Sequence, residues 1–550
     1  MKKIIECVPN FSEGRDMNII KQITDAIETV EGVKLLNVDP GKATNRTVVT
    51  FVGDEVTVVE AAFRAMSKAA ELIDMRKHKG EHPRFGATDV CPFIPIANAS
   101  MEDCIACAKS LGERVGRELN IPVYLYEYAA SAPHRKNLAN VRAGEYEGIS
   151  QKIKLADWKP DFGPSVWNEK SGSVAIGARD FLVAYNVNLN TTSVRRANSV
   201  AFDVREQGRK VKNEKGEEIV QPGACKSVKG IGWFIEEYGV AQVSMNLTNI
   251  SITPVHIAFD ECVKSAHNHG MRVTGSELIG LIPLKAMLDA GKYFLKKQNR
   301  SVGVSEDELI KIAVKSMGLD ELTPFHPQQR IIEYMLSEAG ATPLVNMNLK
   351  KFADETASES PAPGGGSIAA YVGTLGVSLG TMVANLSSHK KGWDERWKEF
   401  SDYAEQGQKI KAELLNLVDE DTRAFNKIMD AFGLPKSNDS EKALRKQAIQ
   451  EATRYAIEIP FRVMQLSYDS FAVIKAMAET GNPNSVSDAG VGALCARSAV
   501  YGAWLNVKIN ASGYDDKNFV ESKLKTGNEL LQKAIALEKE ILDLVESKIK

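Results

Sequence analysis

Along the first hundred residues the apolar positions alternate between two periods. Short apolar runs at 2–8, 33–39, 46–52 and 89–96 have the length and composition of strands. Between them, 16–30 and 56–73 repeat apolar residues every three or four positions, the period of an amphipathic helix. The predicted order is strand, helix, strand, strand, helix, strand, a split βαβ arrangement. It recurs after residue 180, with strands at 181–188, 230–236, 241–247 and 272–274 and helices at 191–205 and 254–267. The lysine-rich stretch 210–218 interrupts this second half as an exposed hairpin. Two similar halves would leave a cleft between them, a common place for a ligand.

Beyond residue 346 the pattern becomes helical throughout, with candidates at 367–386, 395–429, 441–457, 488–509 and 514–548. Of the 20 prolines 15 lie before that point, as do 7 of the 8 histidines, which marks a change of architecture there. The expected fold class is multidomain. Two α/β subdomains of the βαββαβ sandwich type occupy 1–178 and 179–336, a linker 337–346, and an all-α helical bundle 347–550. No charged residue occurs from 360 to 388, long enough to cross a bilayer. Pro361, Pro363 and many glycines dilute it, so a buried, tightly packed helix is expected rather than a membrane span. The helix at 488–509 carries Gly490, Gly492, Ala493, Ala496, Ala499 and Gly502, and such small residues suit a helix–helix or subunit interface.

Composition narrows the class. The chain has 550 residues, 25% of them charged and 43% hydrophobic, the ordinary range of soluble globular chains. The formal net charge of -2 offers no excess of cations for phosphates, so bulk nucleic-acid binding is not expected. Seven cysteines, an odd and small number, argue for a reducing compartment. Glu6 cuts the N-terminal apolar run too short for a signal peptide, so a cytoplasmic location is expected.

Several constellations could carry chemistry. His78-Lys79-Gly80-Glu81-His82 matches an inverted zinc-peptidase pattern. Gly80 and Pro83 oppose the continuous helix that pattern needs. The same histidines can be read as solvated loop residues or as a loop-borne acid/base. Cys104 and Cys107 have no second ligand pair and read as ordinary helix cysteines. The loop beginning Asp161-Phe162-Gly163-Pro164 falls at the junction of the α/β halves. It either holds a planar heterocycle or simply connects the halves. Gly364-Gly365-Gly366-Ser367 opens a helix and could present backbone N–H groups to a ligand or serve only as a flexible start. Asp421 lies in the middle of an apolar stripe running Leu414, Leu417, Val418, Ala424, Phe425, Ile428, with Asp419 turned to the other side of the helix. A carboxyl so placed is either salt-bridged or a group of raised pKa able to donate a proton near neutrality.

These residues resemble a known family. Cys7-Val8-Pro9-Asn10-Phe11-Ser12-Glu13-Gly14, Thr44-Asn45-Arg46-Thr47, Gly80-Glu81-His82-Pro83-Arg84, Asp89-Val90-Cys91-Pro92-Phe93-Ile94-Pro95, Ala156-Asp157-Trp158, Asp161-Phe162-Gly163-Pro164 and Arg205-Glu206-Gln207-Gly208-Arg209 look like glutamate formimidoyltransferase. Ala362-Pro363-Gly364-Gly365-Gly366-Ser367, the 418–425 segment, Gly481-Asn482 and Ser487-Asp488 look like formimidoyltetrahydrofolate cyclodeaminase. Their order and the total length are similar to the bifunctional family of histidine degradation. The resemblance implies transfer of a formimidoyl group between N-formimidoyl-L-glutamate and tetrahydrofolate. Cyclisation of 5-formimidoyltetrahydrofolate to 5,10-methenyltetrahydrofolate then releases ammonia. It implies His82 as the transferase acid/base and Asp421 as the cyclodeaminase proton donor. It implies a folate-binding loop of Gly163, Pro164, Ser165, Val166, Trp167, Asn168, Glu169, Lys170, Ser171 and Gly172. Further binding candidates are Asp39, Arg46, Arg84, Gly364, Gly365, Gly366 and Ser367. The arginines suit the carboxylates of glutamate and of a folylpolyglutamate tail. Tetrahydrofolate is then a co-substrate, L-glutamate a product, no metal is required, and a homo-oligomer through the helical domain is expected. Two rivals remain at this stage: a folate-binding assembly protein with an inactive helical half, and a zinc hydrolase using His78 and His82.

Overall fold

The computed structural model describes residues 3–42, 44–80, 84–212, 216–336 and 343–549. By compactness it separates into two units, Met1–Ala286 with Met317–Leu336, and Met287–Ser316 with Ser337–Lys550.

The first unit contains both α/β halves. In the N-terminal half β1 (Ile4–Cys7) and β2 (Asn10–Phe11) precede α1 (Met17–Glu28), whose first turn is capped by the Asp16 carboxylate. Then follow β3 (Lys34–Gly41), β4 (Arg46–Gly53), α2 (Thr57–Leu72), β5 (Thr88–Ala97) and α3 (Met101–Glu118), which opens on a Ser100–Asp103 capping box. The sheet order is β3-β4-β1-β5, all antiparallel, as the split βαβ expectation requires. Two unforeseen strands, β6 (Val123–Glu127) and β7 (Val174–Ala178), extend it in parallel as β5-β7-β6. The short helices α4 (Leu138–Arg142) and α5 (Glu145–Lys152) lie in the long β6–β7 connection.

The second half repeats the plan: β8 (Val183–Leu189), α6 (Val194–Val204), the hairpin β9 (Arg209–Lys212) and β10 (Glu218–Gln221), β11 (Val228–Ile235), β12 (Val240–Leu247), α7 (Val255–Asn268) and β13 (Val273–Ile279). Its order is β11-β12-β8-β13, again antiparallel. The 210–218 stretch does form a separate two-stranded hairpin.

Alternation decides which side chains reach the space between the halves. On β1, Ile5 and Cys7 are fully buried beneath the sheet, so Glu6 and the following Val8 point the other way. Glu6 stands directly opposite Val52 of β4 and Ile94 of β5. Asn10 stands opposite Val48 and Val90, and Asp39 opposite Val48.

The second unit is helical. It takes in most of α8 (Leu284–Lys297) and all of α9 (Glu306–Met317) except its last residue, rather than leaving them with the α/β halves. Polar contacts hold that hairpin there. Ser401 Oγ accepts from Val302 N at 3.0 Å, Asn385 Nδ2 donates to the Gly303 carbonyl at 2.8 Å, and Lys292 pairs with Glu405 at 2.5 Å. After α10 (Pro327–Arg330) and α11 (Ile332–Leu336) in the first unit, the second resumes with α12 (Leu349–Thr356) and α13 (Gly365–Ser388). It ends with α14 (Trp397–Gly433), α15 (Asp439–Thr480), α16 (Val486–Ala511) and α17 (Lys517–Lys548). The central helix α13 packs on α14, α15 and α16. Close approach needs glycine: a Cβ on Gly376 would stand 2.9 Å from the Gly492 carbonyl oxygen. By length and composition α13 could cross a membrane, but 61% of its most apolar window is buried within the protein.

Helix α15 runs past the expected end near residue 457 and straight through Pro460. A proline removes the N–H that would bond the carbonyl four residues earlier. That carbonyl belongs to Ala456, and Asn510 Nδ2 of α16 donates to it at 2.7 Å. With the orphan acceptor satisfied and Phe461, Val463, Met464 and Leu466 buried beyond it, the helix continues.

Candidate active sites

Two pockets bring the chemistry-bearing residues together, one in each unit. The first is a cleft of about 840 Å³ between the two α/β halves. Its floor is the sheet face just described, with Glu6, Asn10, Asp39, Arg46 and Tyr126. Arg142 and Arg179 stand at its side, and Lys229, Asn246 and Asn249 come from the second half. Asp89 is fully buried, with Arg46 at 3.4 Å and Arg142 in direct ion pairing on the same Oδ2. Two guanidiniums share one carboxylate, leaving a net positive charge facing the cleft. Burial holds Arg46 down to about 10 despite the neighbouring Asp89. The arrangement suits a carboxylate ligand, which could take bidentate bonds from a guanidinium.

Of the other expected residues, Arg84 and the 163–172 loop lie elsewhere. His82 is outside the described residues. Its flanks are placed: Asn45 Nδ2 donates to the Lys79 carbonyl at 3.0 Å, and the ring Nε2 of His78 bonds the Asn45 carbonyl oxygen at 2.8 Å. Burial lowers the pKa of His78, so this ring holds the 44–46 turn as a neutral group. Arg84 does not line the cleft; it pairs with Glu147 at 2.5 Å and sits over the Tyr146 ring.

No residue of the 163–172 loop lines the cleft either. The loop stays on the N-terminal half because local bonds anchor it there. Lys170 Nζ donates to the Glu71 carbonyl at 2.8 Å, Lys170's own carbonyl accepts from Met75 N at 2.9 Å, and Trp167 packs on Tyr146. The loop's last residues bond the chain just after the 81–83 segment. The Ser171 carbonyl accepts from Ala87 N at 2.8 Å, and the Phe85 carbonyl from Ser173 N at 3.1 Å. Asp161, ahead of the loop, is structural. Its carboxylate accepts from Leu125 N at 2.7 Å and from Arg135 Nη1 at 2.8 Å, both side chains nearly buried. Cys104 and Cys107 are buried, and burial pushes both thiols up to about 12, where neither is a nucleophile near neutrality.

The second pocket, about 140 Å³, lies in the helical unit. Gly364, Gly365 and Gly366 open α13 against Asp421 of α14. Asp421 Oδ2 accepts from Ser367 N at 2.9 Å and from Ser367 Oγ at 3.1 Å. A Cβ on Gly366 would lie 2.1 Å from Asp421 Oδ1, so only glycine lets the carboxyl reach the helix start. Burial raises the Asp421 pKa, and the two Ser367 bonds pull it partly back. No salt bridge to Asp421 occurs among the described residues. Asn506 and Asn510, four residues apart on α16, face the same space, and Thr422 Oγ1 is buried there without a partner. Asp419 is buried on another side, accepting from Leu344 N at 2.9 Å and Val345 N at 3.3 Å. The apolar stripe of α14 is buried through Ala424 and Ile428 packs on the core, whereas Phe425 is 42% exposed and lines this pocket.

Residues 4–179 match the family description "Formiminotransferase domain, N-terminal subdomain", residues 184–337 "Formiminotransferase domain" and residues 348–529 "Formiminotransferase-cyclodeaminase". The formimidoyltransferase-cyclodeaminase of Mus musculus is 43% identical over 535 residues, 97% of each chain. The chain belongs to the formimidoyltransferase-cyclodeaminase family. Single-module relatives match each part. The glutamate formimidoyltransferase of Thermoplasma acidophilum is 45% identical over 295 residues, 53% of this chain and 92% of its own. The methenyltetrahydrofolate cyclohydrolase of Methylorubrum extorquens is 38% identical over 204 residues, 37% of this chain and 98% of its own.

Within the formimidoyltransferase-cyclodeaminase frame, the larger cleft joins the two regions matched as formiminotransferase, and the Asp421 pocket lies in the cyclodeaminase region. Sequence reasoning passed over Glu6, Arg142, Arg179, Asn506 and Asn510. Two asparagines at i and i+4 on an otherwise small and apolar helix were a usable signal. Arg142, beyond an irregular loop, offered none.

Proposed function

We propose that this protein transfers the formimidoyl group of N-formimidoyl-L-glutamate to tetrahydrofolate in the α/β unit and closes the product to 5,10-methenyltetrahydrofolate in the helical unit. The carrying observation is the full-length family match, with both modules holding a pocket suited to its step. In the transfer, N5 of tetrahydrofolate attacks the amidinium carbon and a C–N bond forms. The proton lost by N5 passes to His82, which returns it to the glutamate nitrogen as the old C–N bond breaks and L-glutamate leaves. In the closure, N10 attacks the same carbon, a second C–N bond forms, and the N10 proton passes to water, from which Asp421 is reprotonated for the next turnover. The carboxyl of Asp421 protonates the departing nitrogen, which leaves as ammonia. This second step is intramolecular, so holding the folate still supplies much of the rate. Neither step calls for a metal.

The further parts of the reading are a folylpolyglutamate form of the co-substrate, the 163–172 loop as part of its site, a cytoplasmic location and a homo-oligomer. All seven cysteines are free, which suits a reducing compartment. Leu375, Met382 and Leu386 on α13 and Val491, Leu494 and Leu505 on α16 are large, apolar and exposed. These two packed helices would bury them against a second copy.

The paired assay tests the function. The purified chain with N-formimidoyl-L-glutamate and tetrahydrofolate should release glutamate and ammonia in equal amounts, with the methenyl chromophore appearing. Glutamate without ammonia would leave only the transferase. Neither product would refute the reading.

A further inference from the structure

The donor substrate of the transfer has two kinds of charge, carboxylates on the glutamate part and a cation on the formimidoyl part, because an amidine is protonated near neutrality. Arg46 and Arg142 on Asp89 provide for the carboxylates. The cation needs an acidic partner, and the cleft lining contains Glu6, Asp39, Glu127 and Asp180. Asp180 already accepts from Tyr128 at 2.9 Å and from Asn249 at 2.5 Å. Asp39 is exposed to water, and Glu127 is half-buried. Glu6 is different: it is 4% exposed, between Val52 and Ile94, and no donor bonds its carboxyl among the described residues. A largely buried carboxyl that opens only on the cleft, with no protein donor among the described residues, gains most from a donor that enters there.

We propose that Glu6 is the residue that receives the amidinium of the formimidoyl group and so selects this donor over uncharged acyl analogues. The assignment rests on the transferase reading above and adds to it a named specificity contact. Two carboxylate oxygens can accept both N–H groups of an amidinium, the geometry in which arginine binds a carboxylate with the roles exchanged. The contact keeps the reacting carbon in its protonated, electrophilic form until the folate nitrogen attacks. It also gives a role to an acidic side chain that interrupts an apolar strand beside the Arg46–Arg142 pair.

Burial raises the Glu6 carboxyl to about 7, with Arg179 pulling the other way. The charged and titratable groups around it are Arg179, Tyr126 and Glu127 at the β6–β7 edge. Arg46, Arg142 and Asp89 are on the cleft side, and Cys7 and Cys91 are beneath the sheet. The substrate cation would stabilise the ionised form.

The test compares N-formimidoyl-L-glutamate with N-formyl-L-glutamate, its neutral isostere, on the full-length protein. E6Q should lower kcat/KM for the amidine about 10- to 100-fold, the worth of one charge-assisted contact. Binding of N-formyl-L-glutamate should stay within about threefold of wild type, and E6D should recover part of the loss. A variant that weakens both ligands equally, or neither, overturns the assignment. If E6Q does not fold, calorimetric binding to wild type without folate decides. Between pH 8 and pH 6 affinity for the amidine should fall as Glu6 takes up its proton, while affinity for the formyl analogue stays level. Parallel pH curves overturn the assignment. Wild-type protein that makes no 5-formimidoyltetrahydrofolate removes the transferase reading and this contact with it. Active wild type with an unselective E6Q removes the contact alone.

Discussion

Replacing Gly366 with alanine should separate the two activities through one methyl group. The new Cβ would fall 2.1 Å from Asp421 Oδ1 and 2.5 Å from its Cγ, so the carboxyl must retreat by more than about 1 Å to reach ordinary contact. Retreat breaks or lengthens the bonds from Ser367 N and Oγ, now 2.9 and 3.1 Å. A misplacement of about 1 Å at a reacting group costs roughly 100-fold in rate. Stability should change much less. Alanine gains at most about 1 kcal/mol over glycine in a helix, against about 1.5–3 kcal/mol for a hydrogen bond to a charged group. The expected outcome is a folded protein whose conversion of 5-formimidoyltetrahydrofolate, followed by methenyl absorbance, falls about 100-fold. Its glutamate release should be unchanged. Cyclisation within threefold of wild type would show that the Asp421 carboxyl need not touch the start of α13, and the proton-donor geometry would be wrong.

Four further outcomes follow from the same contacts. Asp421→Asn should abolish cyclisation yet leave the melting temperature equal or higher at pH 7. The folded carboxyl titrates above its unfolded value, so its ionised form costs stability as pH rises through the folded pKa, and asparagine removes that cost; lower stability at pH 7 than at pH 4, relative to wild type, would contradict it. Ser367→Ala removes one of the bonds that lower the Asp421 pKa, so the alkaline limb of the cyclisation profile should move to higher pH, and an acidward move would exclude Asp421 as donor. Arg142→Ala leaves Asp89 with Arg46 alone and should raise KM for N-formimidoyl-L-glutamate about tenfold or more with cyclisation intact, measured by initial rates. Asp161→Asn strands Arg135, a nearly buried partner, and should destabilise the α/β unit by about 3 kcal/mol or more in denaturant melts.

The fold was largely legible because its halves follow binary patterns. The antiparallel β3-β4-β1-β5 and β11-β12-β8-β13 orders follow from the period and order of the elements, whereas the parallel strands β6 and β7 did not show. Elements defined by distant partners were not legible. The helix expected to end near residue 457 runs on through Pro460, and only Asn510, fifty residues further on, explains why. Asp421 stood out because a carboxyl on an apolar stripe is anomalous wherever the stripe packs. Its neighbour Phe425 belongs to the same pattern yet is 42% exposed, because it lines the pocket beside Asp421, and periodicity does not tell a core position from a pocket wall. Glu6 showed itself only as an interruption of an apolar run; its meaning depends on Val52, Ile94 and a cleft built by the other half. Asp161 suggested a ligand, whereas the fold uses its carboxylate to fasten Arg135 and the start of the β6–β7 connection to β6.

The division of the chain at residues 287–316 has a bearing on how the protein can be taken apart. The hairpin from α8 to α9 precedes the last segment of the α/β unit, yet its polar backbone atoms are completed by Ser401 and Asn385. A single cut in the 337–346 segment therefore yields no clean pair of halves. The forward fragment keeps a hairpin stripped of its partners, and the rear one keeps an open seat for it. Mixed together, the fragments should reassociate through that seat, so the boundary that divides the two activities is not the boundary along which the protein would separate.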